Sequence, residues 1–238
     1  MNGLDILKIN SIHLSYLTPL SKWKILDLKE MREEIDYPSH STTFSRVIRR
    51  LEKAMVVKSF KDPYSKKKFV FLTEHGEKLV SSSSKSLSIS DETMLHDAKV
   101  SQVSRMLLKR MYIESVLLEH EIGEKFKSQL PDALIQGRKK DVPFNIALEL
   151  ELTRKSRNRI LDKVRKYINS SYYDYVLYLF PTENIYKSYK SHIEEEFGKE
   201  AFERVILIWN NSLLSKSLNL DWGKGYFKSK EVSFDDVL

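Results

Sequence analysis

Residues 41–80, STTFSRVIRRLEKAMVVKSFKDPYSKKKFVFLTEHGEKLV, set two periodicities side by side, and their succession decides how the first third of the chain is read. Over STTFSRVIRRLEKAM, the apolar residues Phe44, Val47, Ile48, Leu51 and Met55 recur at the spacing that gathers them on one face of an α-helix. Arg46, Arg49, Arg50 and Lys53 fall on the other face. The pattern then changes. VVKSF and KKFVFLT are β-branched and aromatic runs, and KDPYSK between them carries Asp62-Pro63, a turn signal. A β-hairpin with a basic tip at Lys66, Lys67 and Lys68 is expected.

Upstream, residues 22–35 (KWKILDLKEMREEI) place Trp23, Leu26, Leu28, Met31 and Ile35 at broadly helical spacing, with Ser21 as a cap. Asp36-Tyr37-Pro38-Ser39 breaks that pattern. Helix, turn, helix and a basic two-stranded wing is the layout of a winged helix-turn-helix, expected over residues 1–82. In that layout Ser41, Thr42, Thr43, Arg46, Arg49 and Arg50 lie where a helix in the major groove meets bases and phosphates, and the wing lysines neutralise phosphate. A solvated basic face, or a winged helix used for protein contacts, is the competing reading. Charge favours DNA: residues 40–80 hold 10 Lys and Arg against 4 Asp and Glu, in a chain of formal charge +7.

The Ser-rich run SSSSKSLSIS reads as a flexible linker, taken as residues 83–92, and a second domain is expected over 93–238. There the pattern gives a helix (LHDAKVSQVSRMLLKRM), three strands (SVLLEHEI, PDALIQ, FNIALELEL), a basic helix (TRKSRNRILDKVRKYI), the strand YDYVLYLF, a helix near 184–197 and the strand RVILIW. That order is an α/β layer architecture; the tail KGYFKSKEVSFDDVL shows no assignable period. Asp132 opens one strand, and the next ends in Glu149-Leu150-Glu151, whose two glutamates share a side by the two-residue period. Acids on two strands suit a hard divalent cation such as Mg²⁺, which takes carboxylate and water oxygens. The alternative is structural: strand-end carboxylates paired with Arg154, Lys155 or Arg157 in an inert scaffold.

The ordered motifs PD and ELE within helix, three strands, helix, strand resemble the PD-(D/E)XK nuclease superfamily. The whole chain is similar to bacterial replication-relaxation proteins of plasmids and mobile elements, through the winged helix, the histidine of LHDAKV, the Pro-Asp strand and LELELTRKS. The resemblance implies a restriction-endonuclease-like second domain, with Asp132 and Glu149 as metal-binding acids. Glu151 stands where that motif has a lysine, so Lys155 or Lys163 is left to supply the charge, and Glu119 or Glu121 to add a ligand. The implied catalytic set is Asp132, Glu149, Glu151 and Lys155 with Mg²⁺. The implied partners are double-stranded DNA, replication or mobilisation proteins and a second copy of the chain. Two functions stay open: a DNA-binding protein of replication, relaxation or mobilisation that cuts DNA with Mg²⁺, and a non-catalytic regulator or assembly factor whose second domain dimerises or binds proteins.

Other chemistries lack an anchor. The 238 residues include no cysteine, which removes thiol catalysis and disulfides and suits a reducing cytoplasm. No apolar run approaches the length of a membrane span, and the N-terminus lacks the basic start of a signal peptide, so a cytoplasmic protein is expected. Phosphate-loop, dinucleotide, zinc-protease and serine-hydrolase motifs are absent, as is the histidine triplet of a relaxase. His96 reads as a capping or packing residue, and Tyr172, Tyr173, Tyr175 and Tyr178 as packing around a strand.

Overall fold

The computed structural model describes residues 11–37, 41–80, 89–90, 93–122 and 130–237. Its chain is mixed α/β and divides into two compact units between Ser101 and Gln102.

In the first unit the order is α1 (Ser11–Trp23), β1 (Ile25–Asp27), α2 (Leu28–Glu34), α3 (Ser41–Lys53), β2 (Val57–Lys61), β3 (Lys68–Leu72), α4 (Glu74–Val80) and the start of α5 (Met94–Leu107). Its sheet runs β1-β3-β2, all antiparallel, with Ile25 opposite Phe71 and Val57 opposite Leu72. The single helix expected over residues 22–35 is two helices with a strand between them. Lys24 takes a positive φ of 61°, the chain turns, and the fully buried Ile25 and Leu26 pair with β3. Asp27 then caps α2, and Ser21 does not cap a helix: its hydroxyl donates to the Thr18 carbonyl at 2.8 Å. Asp27 Oδ1 accepts from the amides of Lys29 and Glu30, and Glu30 reaches back to the Asp27 amide at 3.0 Å, a reciprocal capping box. Met55 also departs from expectation. It lies beyond α3 at φ 57° and is exposed, while Phe44, Ile48 and Leu51 are fully buried.

The two compact units divide within α5, and the Ser-rich run where a boundary is expected lies mostly outside the described residues. Lys24 pairs with Asp97 at 3.5 Å, and Ala98 packs with Ile25, Phe69 and Phe71, so residues 93–101 belong to the first unit. Of the expected linker only Ile89 and Ser90 fall within the described residues. Ile89 packs on that same cluster, and Ser90 Oγ accepts from the Thr93 amide at 3.2 Å.

The second unit holds β4 (Ile113–Leu118), α6 (Glu119–Ile122), β5 (Ala133–Lys139), β6 (Val142–Leu150), α7 (Arg157–Ile168), β7 (Tyr175–Phe180), α8 (Glu183–Phe197), β8 (Val205–Trp209), β9 (Lys224–Phe227), β10 (Lys230–Ser233) and α9 (Phe234–Val237). Seven strands form one sheet in the order β10-β9-β8-β7-β6-β5-β4. The pairs β6·β7 and β7·β8 are parallel, joined through α7 and α8, and the others are antiparallel. On one sheet face Ala147, Val176, Tyr178 and Leu207 form a core with Ile160, Val164 and Tyr167 of α7 and Tyr189 and Ile193 of α8. EHEI is the short helix α6 rather than the end of a strand, and the unassigned tail adds β9, β10 and α9. α7 begins at Arg157, four residues later than expected, and residues 151–156 between the end of β6 and that helix have no regular structure.

Candidate functional site

Two features carry chemistry, one in each unit. In the first, the amphipathic pattern of α3 makes a one-sided helix: Phe44, Ile48 and Leu51 have no exposure, and Thr42, Thr43, Arg46, Arg49 and Arg50 are all exposed. Three guanidinium groups therefore stand on one solvent face, with Thr42, Ser45, Arg46 and Arg49 lining a shallow depression. The Ser41 side chain lies outside the described residues.

Lys66, Lys67 and Lys68, between β2 and β3 and at the start of β3, do not act alike. Lys67 Nζ sits 2.8 Å from Asp27 Oδ2, the capping carboxylate, and Lys68 Nζ sits 2.7 Å from Glu52 Oε1. Both are tied to internal acids, and only Lys66 is fully exposed at the tip, where its Nζ donates to the Pro63 carbonyl at 2.6 Å. The turn is built on Asp62, whose carboxylate is wholly buried and accepts from the Tyr64 and Ser65 amides, with Lys99 Nζ 3.6 Å away. Against the opposing pull of burial, the Ser65 hydroxyl, which also donates to this carboxylate, those amides and the Lys99 ammonium hold the Asp62 carboxyl below its ordinary pKa.

In the second unit the strand ends bring Asp132, Glu149 and Glu151 together with Lys163. Asp132 immediately precedes β5, and its Oδ2 accepts from the Leu150 amide at 2.7 Å, so the carboxylate is fixed between the two glutamates of β6. Glu149 is 1% exposed; one oxygen takes the Lys163 ammonium and the other the Tyr167 hydroxyl. Lys163 and Tyr167 are four apart on α7, the spacing that sets two side chains on one helix face. Lys163 Nζ also lies 3.7 Å from Glu151 Oε1, and Glu151 bonds to Tyr189 of α8. Burial, reinforced by Asp132, pushes the Glu149 carboxyl up to about 8. Burial raises Glu151 as well, and the surrounding acids raise Lys163 against the opposing effect of its own burial. The Tyr178 hydroxyl, fully buried next to these acids, has no hydrogen-bond partner among the described residues.

Of the residues expected at this site, Asp132, Glu149 and Glu151 converge, and Lys163 provides the cation. Lys155 lies in the loop before α7 and donates to Thr153 Oγ1 at 3.3 Å. Glu121 caps its own short helix through the Leu118 amide at 2.9 Å, and Glu119 is exposed. His96 sits on α5 of the first unit, 3.9 Å from Asp97. Tyr173 packs edge-on against Tyr167 and Tyr172, and Tyr178 stacks on Phe180, as packing residues do. Tyr167 and Tyr189 were not expected; the i, i+4 step from Lys163 was the available signal for Tyr167.

The donor set fits a hard divalent cation in kind: three carboxylates face one lysine, and an orphaned hydroxyl lies next to them. Close as these acids are, no group of three acidic or histidine side chains among the described residues is arranged to hold a metal ion, so the protein would supply one or two carboxylates and leave the remaining positions to water or phosphate oxygens. Among the described residues no helix is long and apolar enough to cross a membrane. Compared with known proteins, the chain matches no protein-family model and no curated protein sequence.

Proposed function

We propose that the chain is a duplex-DNA-binding protein of a plasmid or mobile element, acting in replication, relaxation or mobilisation through a winged helix and a PD-(D/E)XK-like domain. The observation that carries the DNA reading is α3: Thr42, Thr43, Arg46, Arg49 and Arg50 are exposed on a helix whose opposite face is fully buried. Arginine forks can pair with guanine edges and with phosphate. With Lys67 and Lys68 tied to Asp27 and Glu52, Lys66 is the wing's contribution to phosphate neutralisation.

In the second unit Asp132 and Glu149 would hold one Mg²⁺, which when bound supplies positive charge to a scissile phosphate and acidifies a bound water. Lys163, whose ammonium lies against Glu149 and Glu151, would supply the positive charge that the nuclease motif places at position 151 for the scissile phosphate. The Tyr167 hydroxyl orients the Glu149 carboxylate by donating to it. One observation favours the non-catalytic reading, in which the second domain dimerises or binds proteins: both Glu149 oxygens already have partners within the chain.

Gel shifts in a salt series, with parent and Arg46→Gln/Arg49→Gln/Arg50→Gln protein, test the DNA reading. The triple variant should lose about two to three units of the salt slope, near 0.9 per phosphate contact. Unchanged affinity and slope would remove α3 as the reader. Incubation with supercoiled DNA in Mg²⁺, Mn²⁺ or chelator tests cleavage: nicking that needs metal and vanishes in Asp132→Ala supports the enzyme, and its absence leaves the regulator.

A further inference from the structure

The face of the large sheet that turns away from α7 and α8 carries a cavity of about 600 Å³ near the start of the parallel strands. Its floor is Phe144 and Ile146 of β6, Tyr175 of β7, Ile206 of β8, Phe227 of β9 and Val232 of β10. Gly137 shapes one wall: a Cβ there would fall 2.5 Å from the Phe144 ring, so the missing side chain lets that ring lie across β5. From β6 to β9 the floor spans three strand spacings, roughly 14 Å.

Two hairpin ends frame this trough, and both bring lysine. Lys139 ends β5, with Nζ 5.2 Å from the Tyr112 ring centroid; Lys228 follows β9, 5.3 Å from that of Phe227; and Lys230 pairs with Phe227 in register. Three acids, Asp174, Glu231 and Asp236, line the trough as well, and Asp236 lies near enough to Lys230 for that ammonium to help hold its carboxyl down. Asp174 accepts from the Asn145 amide at 2.7 Å, and Asp236 accepts from the Ser233 amide at 2.8 Å. Glu231 stands opposite Tyr226, which packs into the core on the other face of the sheet. An apolar, aromatic floor with cations at its ends, in the size range of small-molecule sites, is complementary to one ligand class.

We propose that this trough binds a small amphiphilic organic anion, with a flat aromatic or acyl body over Tyr175 and Phe227 and an acidic group at Lys139, Lys228 or Lys230. The site is separate from Asp132 and Glu149, which belong to the opposite sheet end, and does not depend on DNA binding.

Calorimetric titration of the full chain with anilinonaphthalene sulfonate, followed by displacement with decanoate, tests it. Saturable one-to-one binding is expected, reversed by decanoate and not by inorganic phosphate. It should be weakened about tenfold or more in Lys139→Gln/Lys228→Gln/Lys230→Gln, given the strength of charge-assisted contacts. Val142→Glu, at an exposed rim position, should weaken it as well without changing the melting temperature. No saturation, or equal affinity in both variants, overturns the proposal. Displacement by single-stranded oligothymidylate and not by decanoate also overturns it, making the trough a nucleic-acid groove.

Discussion

At the scale of single residues, Glu149 has the largest consequence. Its carboxyl stands near pKa 8 in the folded chain against an ordinary 4.5, so between those values the native state holds a proton that the unfolded chain has released. Stability from this group is fully present below about pH 4.5, declines as pH rises through the window, and is lost above about 8. In chelator, the melting temperature of the parent should therefore fall from pH 5.5 to 8.5 by more than that of Glu149→Gln. Equal slopes in the two proteins would mean that Glu149 is not the buried acid described. Lys163 gives the complementary expectation. Lys163→Met takes away the ammonium that favours the ionised acids, so its loss of stability, measured by denaturant unfolding, should be larger at pH 8.5 than at pH 5.5.

At the scale of elements, the tight turns are strained by their own residues. Lys140 and Asp141 between β5 and β6, and Lys228 and Ser229 between β9 and β10, all take positive φ between 48° and 64°, a region where side chains other than glycine or asparagine are disfavoured. Asp141→Gly and Ser229→Gly should each raise stability by up to about 1 kcal/mol, read from chemical melts. These turns also mark what the sequence withheld. Helix α3 and the β2–β3 hairpin were legible because a 3.6-residue period and a two-residue period meet at Met55 with Asp62-Pro63 beyond. The split of residues 22–35 was not legible, because Trp23, Leu26 and Met31 fit a helix whichever way Lys24 turns. Only a long-range pairing, Ile25 with Phe71, decides that stretch. The β9–β10 hairpin escaped for a similar reason: its turn holds Lys228-Ser229, with neither asparagine nor glycine to announce it.

At the scale of the whole molecule, the acidic centre was half visible. Asp132, Glu149 and Glu151 could be found as strand-end acids, and Lys163 as a spare cation. The partners that fix them could not, since Leu150 offers a backbone amide and Tyr189 comes from a helix 38 positions beyond Glu151 in sequence. The run Lys66-Lys67-Lys68 misled in the opposite direction, because three lysines look like a single patch until Asp27 and Glu52 are seen to hold two of them. One outcome applies to the molecule entire. If Asp132 and Glu149 hold a cation, millimolar Mg²⁺ at pH 8 should raise the melting temperature of the full chain, and Asp132→Asn should abolish the increment. Indifference to Mg²⁺ and Mn²⁺ in both proteins would retire the metal and leave the DNA-binding proposal untouched.

The mixed sheet also dictates an order of assembly. Hairpins β5–β6 and β9–β10 close across two residues each, whereas β6 meets β7 and β7 meets β8 only after a whole helix has been threaded between them. Short loops close in microseconds or less, and parallel pairings of distant segments come late. Until then β6 exposes a bare edge carrying Ile146, Ala147 and Leu148, so the slow step of folding coincides with the stage at which the nascent domain is most open to pairing with another copy of itself.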